Sequence, residues 1–543
     1  MTILPSSVNI TVTLDNSTKG QFIRGVGGMS DQCFIYGNGS WTDRVTLNDI
    51  QNMFGHGPQE LGLNMYRLLM YPYLEEGIAY TGPQGPLTPG DPTQGIVDDT
   101  TLYRPGPNGG SKSGTLPADQ SDYYNIIKKV NDMNGYVMLC PWIIPLEFTT
   151  NNAVTAQGSG TGNGTKVDRT KFNELADWYV SYVQNLVAHG APIFAISVQN
   201  EPDQGVAYDG CIWSGTDQRD MLRILGPKLA AAGLKGYGGG REWDKIWLAT
   251  GENAGLPGTA GDNVINDTGL SGASQYVEIA TRHMYGGMGP YSNGITAIAD
   301  STKGLKEIWQ TEHCDTTNAG RDSFYNDMSG WNWAWHMANE VYDSFALNKE
   351  SAFIWWTSKR FYGFIGEGNF TTTNGAVLPR GHVMAHFGKY VLNTNMINLT
   401  VSGSFVSNNG IAAGSGTTNL GATTLPVAAG TNLNPTAFTS GNSNSGGQNQ
   451  PTTKIMAFEA DDGSYISVVA FTATRNSGAG GQDAGVVRID LPTGFTAASA
   501  ELMRSNASVK QQIESVVLTS DKKAAFIQLP RGEIVSVKFI KAP

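Results

Sequence analysis

The chain has 543 residues, a formal net charge of -11, and 40% hydrophobic against 15% charged residues. That length exceeds one ordinary domain and points to a large domain with a smaller one. The acidic balance argues against nucleic acid or an anionic membrane as partner, and no run reaches the length of a transmembrane helix. Low charge, 68 glycines and many Asn, Thr and Ser fit a secreted or periplasmic enzyme of polysaccharides better than a cytosolic one. The opening residues, Met1 to Pro5, lack a basic region followed by an apolar stretch, so no signal peptide is expected in the chain as given.

Residues 8–14 alternate apolar and polar, the pattern of a half-buried strand. Such a strand needs a sheet partner, which predicts that it joins a C-terminal β-domain. The Gly-rich stretch 22–29 lacks the G-x-G-x-x-G spacing of a phosphate loop and no helix start follows, so a tight turn with close backbone approach to a ligand is expected. From there apolar runs alternate with helical patterns. Residues 64–70 read as the second strand of the series and 136–142 as the third, after a helix near 123–134. Residues 171–189 read as a helix leading into the fourth strand at 194–200. The fifth, sixth, seventh and eighth follow at 246–250, 277–283, 307–312 and 352–356. Eight strands separated by helical patterns mean a (β/α)8 TIM barrel.

Residues 73–120 are rich in Pro and Gly and have no clear period. A loop that long is usually functional, and its place after the second strand puts it over the catalytic face. After about residue 400 the texture changes. Residues 402–450 carry almost no charge, and short alternating strands follow at 465–471 and 534–540, the signature of a β-sandwich. The expected organisation is an N-terminal strand (1–20) joining the β-domain, a barrel over 21–390 with the insertion 73–120, and a side-attached β-sandwich over 391–543 with the insertion 402–450. The four cysteines, Cys33, Cys140, Cys211 and Cys314, have neither zinc nor redox spacing. Buried free thiols are expected, although Cys140 and Cys314 both follow barrel strands and could meet.

Two glutamates stand where apolar runs break into polar residues. Glu201 terminates the fourth strand run and Glu312 the seventh. The C-terminal ends of barrel strands form the catalytic face. Two carboxylates brought together there suit glycoside hydrolysis, in which one acid protonates the leaving oxygen and one carboxylate attacks or activates water. No second His, Asp or Glu near His313 gives a metal-ligand spacing, and this chemistry needs no metal or other cofactor.

Several stretches carry a resemblance. They are Ile23-Arg24-Gly25-Val26-Gly27-Gly28-Met29, Ile196-Ser197-Val198-Gln199-Asn200-Glu201-Pro202-Asp203, His283-Met284-Tyr285-Gly286, Trp355-Trp356 with Arg360-Phe361-Tyr362-Gly363, and Met384-Ala385-His386-Phe387-Gly388-Lys389-Tyr390-Val391. In this order they resemble glycoside hydrolase family 30, in the clan of retaining (β/α)8 glycosidases. Within it the chain is most similar to the bacterial glucuronoxylan endo-β-1,4-xylanases. The resemblance implies a barrel with a side-attached β-domain, with Glu201 as general acid/base and Glu312 as nucleophile. It places Asn200 on the sugar 2-hydroxyl, Arg67 beside Glu312 to hold it ionised, and His283 and Tyr285 along the cleft. Trp142 and Trp356 are candidate stacking platforms for sugar rings, with core packing the alternative. Arg360 and Tyr362 match positions that bind a glucuronate branch, and an ion pair of Arg360 with Glu367 is the competing reading. Trp331, Trp333 and Trp335 read as packing. The expected partner is a polysaccharide or oligosaccharide, and the chain is expected to be monomeric. Two features depart from those xylanases: the loop after the second strand is replaced by the insertion 73–120, and His313-Cys314-Asp315-Thr316-Thr317-Asn318 is an unusual continuation of the seventh strand. Other β-glycans therefore stay open as substrates (a β-1,6-glucanase, a galactanase or an exo-acting xylosidase-like enzyme), as does a non-catalytic glycan-binding protein on the same barrel.

Overall fold

A computed structural model describes residues 5, 7–29, 45–70, 123–151, 164–205, 210–235, 246–254, 263–285, 307–314, 330–360, 362–368, 372–403, 452–473, 484–530 and 532–543. The insertion at 73–120, residues 404–450 of the second insertion, and Cys33 lie outside the described residues.

The chain opens with β1 (Ile10–Ile23) and then enters a closed parallel barrel. Its strands are β2 (Gly25–Met29), β3 (Met65–Leu69), β4 (Tyr136–Cys140), β5 (Ala195–Ser197), β6 (Trp247–Asn253), β7 (Ile279–His283), β8 (Glu307–Glu312) and β9 (Ala352–Trp356). Each pairs with its sequence neighbour, and β9 closes the ring on β2, with Gly25 opposite Ala352 and Met29 opposite Trp356. The strands are short, continuous apolar runs because both faces are covered: every residue of β3, β4, β6 and β9 is buried. Such runs are what a parallel sheet packed inside and outside requires.

Helices α1 (Leu47–Phe54), α2 (Tyr123–Asp132), α3 (Phe172–Ala188), α4 (Gly215–Ala231), α5 (Trp331–Tyr342) and α6 (Pro379–Tyr390) accompany the strands. Two start on reciprocal caps, Thr46 with Asp49 and Ser214 with Asp217, which satisfy backbone donors that a helix start leaves unpaired. Trp335 of α5 is buried, and Trp331 and Trp333 pack partly buried against the core, the packing role expected of them. Cys140, Cys211 and Cys314 are buried free thiols.

The Gly-rich stretch differs from the expected turn. Ile23 ends β1, and Gly25–Met29 form a fully buried barrel strand. The neighbouring chain, not a ligand, demands glycine there: a Cβ on Gly27 would stand 1.8 Å from the Met65 carbonyl oxygen of β3.

Outside the barrel, β1 runs antiparallel to β10 (Thr394–Gly403) and parallel to β13 (Gly485–Asp490). The remaining strands are β11 (Thr452–Ala460), β12 (Tyr465–Ala473), β14 (Ala497–Ser505), β15 (Gln512–Ser515), β16 (Val517–Leu518), β17 (Ala524–Leu529) and β18 (Glu533–Lys541). They complete a ten-stranded sheet in the order β15-β14-β18-β12-β11-β10-β1-β13-β17-β16. The sheet folds over so that β17 also packs on β12 and β18, which gives the expected β-sandwich. Helix α6 fastens it to the barrel: the buried His386 ring bonds Ser536 Oγ through Nδ1 and Ser505 Oγ through Nε2, each at 2.9 Å.

The close approach of β2 and β3 yields a stability prediction. Gly27→Ala forces a methyl group into backbone and is expected to destabilise the protein by about 3 kcal/mol or more, read as a lowered midpoint in denaturant. An unchanged midpoint would show that the two strands separate at no cost.

Candidate active site

The C-terminal ends of five strands meet around one guanidinium. Arg67 lies in β3 and is completely buried. Its Nη1 donates to Glu312 Oε2 at 2.7 Å, and its Nη2 donates to Asn200 Oδ1 at 2.7 Å and to Glu252 Oε2 at 2.9 Å. Glu312 is the last residue of β8, and Asn200 and Glu201 follow β5. Glu252 is in β6 and His283 ends β7.

The segment after β5 is held by backbone. Asn200 N–H donates to the Pro141 carbonyl at 2.8 Å and Glu201 N–H to the Glu252 carbonyl at 2.9 Å. Gln199 Nε2 donates to the Trp142 carbonyl at 2.6 Å. Glu201 has φ 42° and Glu252 φ 55°, the left-handed region that a side chain ordinarily avoids at a cost of order 1–3 kcal/mol. Both carboxylates are thus turned off their strands into a common space.

His283 joins them. Its Nδ1 lies 3.1 Å from Glu201 Oε1 and its Nε2 lies 2.9 Å from Glu252 Oε2, with Glu312 Oε1 4.0 Å from Nδ1. Tyr285 O–H donates to Glu312 Oε1 at 3.1 Å and stands 3.7 Å from Cys314 Sγ. One oxygen each of Glu201 and Glu312 and a nitrogen of His283 all fall within 4.8 Å of one another.

Burial and neighbours set the charges in opposite directions. For Glu252, burial opposes ionisation, but Arg67 and His283 outweigh it and hold the carboxyl down at about 2. For His283, burial disfavours the cation, but Glu312, Glu201 and Glu252 outweigh it and raise the imidazole to about 9. The ring is therefore an imidazolium at neutral pH, donating through both nitrogens. Glu312 moves the other way from what the beside-it Arg67 alone suggests. Burial pushes its carboxyl above the usual glutamate range, with Glu201 adding to the rise, against the downward pull of His283 and Arg67. Burial likewise pushes the Tyr285 phenol far up, so it stays a donor.

Arg67, Asn200, Glu201, His283, Tyr285 and Glu312 share one network. Trp142, just past β4, and Trp356, the last residue of β9, stack on each other at the mouth, with ring centroids 5.2 Å apart at 24° and both rings buried. Each gives a face to the other, leaving less of it for a sugar. Arg360 and Tyr362 follow β9 and are also buried, with the guanidinium carbon 5.6 Å from the Tyr362 ring centroid. The Tyr362 carbonyl accepts from Trp355 Nε1 at 3.0 Å.

Sequence reasoning missed Glu252. Its signal was the one that found the other two glutamates, a carboxylate directly after an apolar barrel run. Gly251, with φ 115°, breaks the run one residue earlier and hides the pattern. Thr311, whose hydroxyl donates to Glu252 Oε2 at 3.0 Å, carried no signal.

Residues 120–360 match the TIM-barrel domain of glycosyl hydrolase family 30. The glucuronoxylanase XynC of Bacillus subtilis (strain 168) is 21% identical over 393 residues, spanning 70% of this chain and 69% of that protein. An endo-1,6-beta-D-glucanase, neg1, of Aspergillus fumigatus is 26% identical over 276 residues, 48% of each chain. The fold is similar to that of a solved family 30 subfamily 8 xylanase, Xyn30A, from Clostridium acetobutylicum, with a TM-score of 0.62 at 18% identity over 98% of this chain and 99% of that one.

The raised imidazole carries a sign. A group whose folded value lies above its ordinary 6.5 stabilises the fold fully below that pH, and the contribution is lost as pH rises through about 9. The melting temperature is expected to fall over that window, with a shallower fall in His283→Gln. Equal slopes in the two proteins would place the loss elsewhere.

Proposed function

We propose, from the match of residues 120–360 to the glycosyl hydrolase family 30 TIM-barrel domain, that the chain is a retaining β-glycosidase with Glu312 as nucleophile and Glu201 as acid/base. The observation that carries the reading is the approach of one Glu201 oxygen to one Glu312 oxygen within 4.8 Å. Retaining enzymes hold their carboxyls about 5–5.5 Å apart, whereas inverting enzymes leave roughly 6.5–9.5 Å for a water.

Charge supports the division of labour. Two cations, Arg67 and the His283 imidazolium, face the three carboxylates Glu201, Glu252 and Glu312. Glu312 accepts from Arg67 and Tyr285, donors that suit a nucleophile, and Glu201, which faces His283 Nδ1 at 3.1 Å, is left the acid/base part. In the first step Glu312 attacks the anomeric carbon while Glu201 gives its proton to the departing oxygen. In the second, Glu201 takes a proton from water, whose oxygen displaces Glu312. Asn200 spends its amide oxygen on Arg67, leaving its NH2 to donate to the sugar 2-hydroxyl, a bond that strengthens in the transition state.

For the substrate we favour glucuronoxylan, cleaved in endo mode and outside the cytoplasm where such polymers occur. The resemblance to XynC and the pairing of Arg360 with Tyr362 after β9 support it, since a guanidinium suits a carboxylate branch. A β-1,6-glucan is the second reading, favoured by the likeness to the Aspergillus enzyme and by the burial of Arg360. The intact carboxylate pair weighs against a non-catalytic glycan binder.

Glu312→Gln is expected to abolish turnover, and Glu201→Gln to spare only substrates with good leaving groups. An NMR time course on a β-glycoside is expected to show the β-anomer first, and the α-anomer first would overturn retention.

The substrate assignment has its own test. Arg360→Ala is expected to slow glucuronoxylan cleavage roughly 10- to 100-fold, the loss of a charge-assisted pair of about 1.5–3 kcal/mol, while undecorated xylo-oligosaccharides react as before. Equal losses on both, or activity on β-1,6-glucan and none on xylan, would move the assignment to the second reading.

A further inference from the structure

We infer that Glu252 is a positioning residue that fixes the charge and orientation of the groups around the reacting pair, an inference that rests on reading Glu201 and Glu312 as that pair. Its carboxylate is 1% exposed, too enclosed to touch a sugar, yet it is bonded to nearly every side chain that does the positioning.

The geometry is concentrated in one atom. Glu252 Oε2 accepts from Arg67 Nη2 of β3 at 2.9 Å, from His283 Nε2 of β7 at 2.9 Å and from Thr311 Oγ1 of β8 at 3.0 Å. Donors from three strands converge on one oxygen offered by a fourth. The backbone of the same residue works too. Its carbonyl accepts from Glu201 N–H at 2.9 Å, and its N–H donates to Thr281 Oγ1 at 2.9 Å. The chain is bent to put it there: Gly251 at φ 115° has no room for a side chain, because a Cβ would lie 2.2 Å from the Thr281 carbonyl oxygen.

The consequence runs through His283. The groups facing that ring are Glu252 on β6, Glu201 after β5, Glu312 on β8 and Tyr285 just past β7. Arg67 of β3 joins through its bond to Glu252, and the buried Cys140 thiol of β4 stays neutral because burial pushes it up. Glu201 and Glu312 change charge during turnover, whereas Glu252, held down at about 2, does not. Among the three carboxylates that hold the His283 cation it is thus the constant one, and it keeps Nδ1 pointed at Glu201 while Glu201 alternates between acid and base. Replace it by a neutral amide, and the His283 cation rests on Glu201 and Glu312 alone and gives up its proton at lower pH. The reacting pair then loses the Glu252 anion and, over that range, the His283 cation; of the two, His283 is the charge that acts most on Glu312, so Glu312 ionises only at higher pH.

The test compares the parent chain with Glu252→Gln. The variant is expected to lose kcat by up to about 100-fold, as small misplacements of reacting groups do, with KM nearly unchanged. The acidic limb of its kcat/KM profile is expected to move up by more than about one pH unit, and Glu252→Asp, which keeps the charge, to restore the limb. A purely structural role predicts lower stability with the limb unmoved, which would overturn the inference. A second measurement needs no variant at position 252. In nitrogen-15 histidine spectra, with the His283 signals assigned by their loss in His283→Gln, the parent ring is expected to be imidazolium at pH 8. A neutral ring there overturns the inference even if Glu252→Gln fails to fold. The spectrum is independent of substrate, so an imidazolium in a chain inactive on every β-glycan would count against the proposed function and not against the role of Glu252.

Discussion

Arg67 is the side chain on which the site depends. A guanidinium cannot give up its proton inside a protein, so burying one obliges the fold to supply acceptors on all sides. The barrel supplies them to both terminal nitrogens with Glu312, Asn200 and Glu252. Taking out an acceptor would strand a buried charge at a cost of several kcal/mol. The obligation is mutual, since the carboxylates are buried as well. The cluster is therefore a closed set of charges in which none can be altered alone, a condition suited to holding two carboxylates closer than their repulsion would otherwise allow.

The barrel makes this set geometrically feasible. Parallel strands aim all their C-terminal ends at one mouth, so residues 67, 201, 252, 283 and 312 converge although hundreds of positions separate the first from the last. Where strand geometry alone falls short, backbone distortion completes it. The positive φ angles at Glu201 and Glu252 swing side chains out of the period-two alternation that would bury them in the barrel or turn them to the helices.

Much of this was legible in the sequence, for a physical reason. Strands covered on both faces are written as unbroken apolar runs, and seven of the eight runs were visible, as were the carboxylates that ended two of them. Glu252 was not, because a glycine interrupts its run one residue early and the signal of a strand end arrives before the strand has ended. The Gly25–Met29 strand was misread as a turn for a related reason: glycine there answers to a neighbouring backbone, and local pattern does not reveal a neighbour. The mutual stacking of Trp142 and Trp356 was equally invisible, since whether an aromatic ring meets a sugar or another ring depends on what lies across the mouth.

The first strand of the chain has a consequence for how the molecule is made. Ile10 of β1 stands opposite Gly403 of β10 on one side and Val487 of β13 on the other. A ribosome therefore releases β1 long before either partner exists, and contacts so distant in sequence are slow to form. Until then the strand is an open edge able to pair with another chain. The barrel can close in the meantime, because its strands pair with sequence neighbours and β9 returns to β2 before β10 is reached. Assembly thus has an intrinsic order, barrel before sheet, and its last act stitches the beginning of the chain to its end.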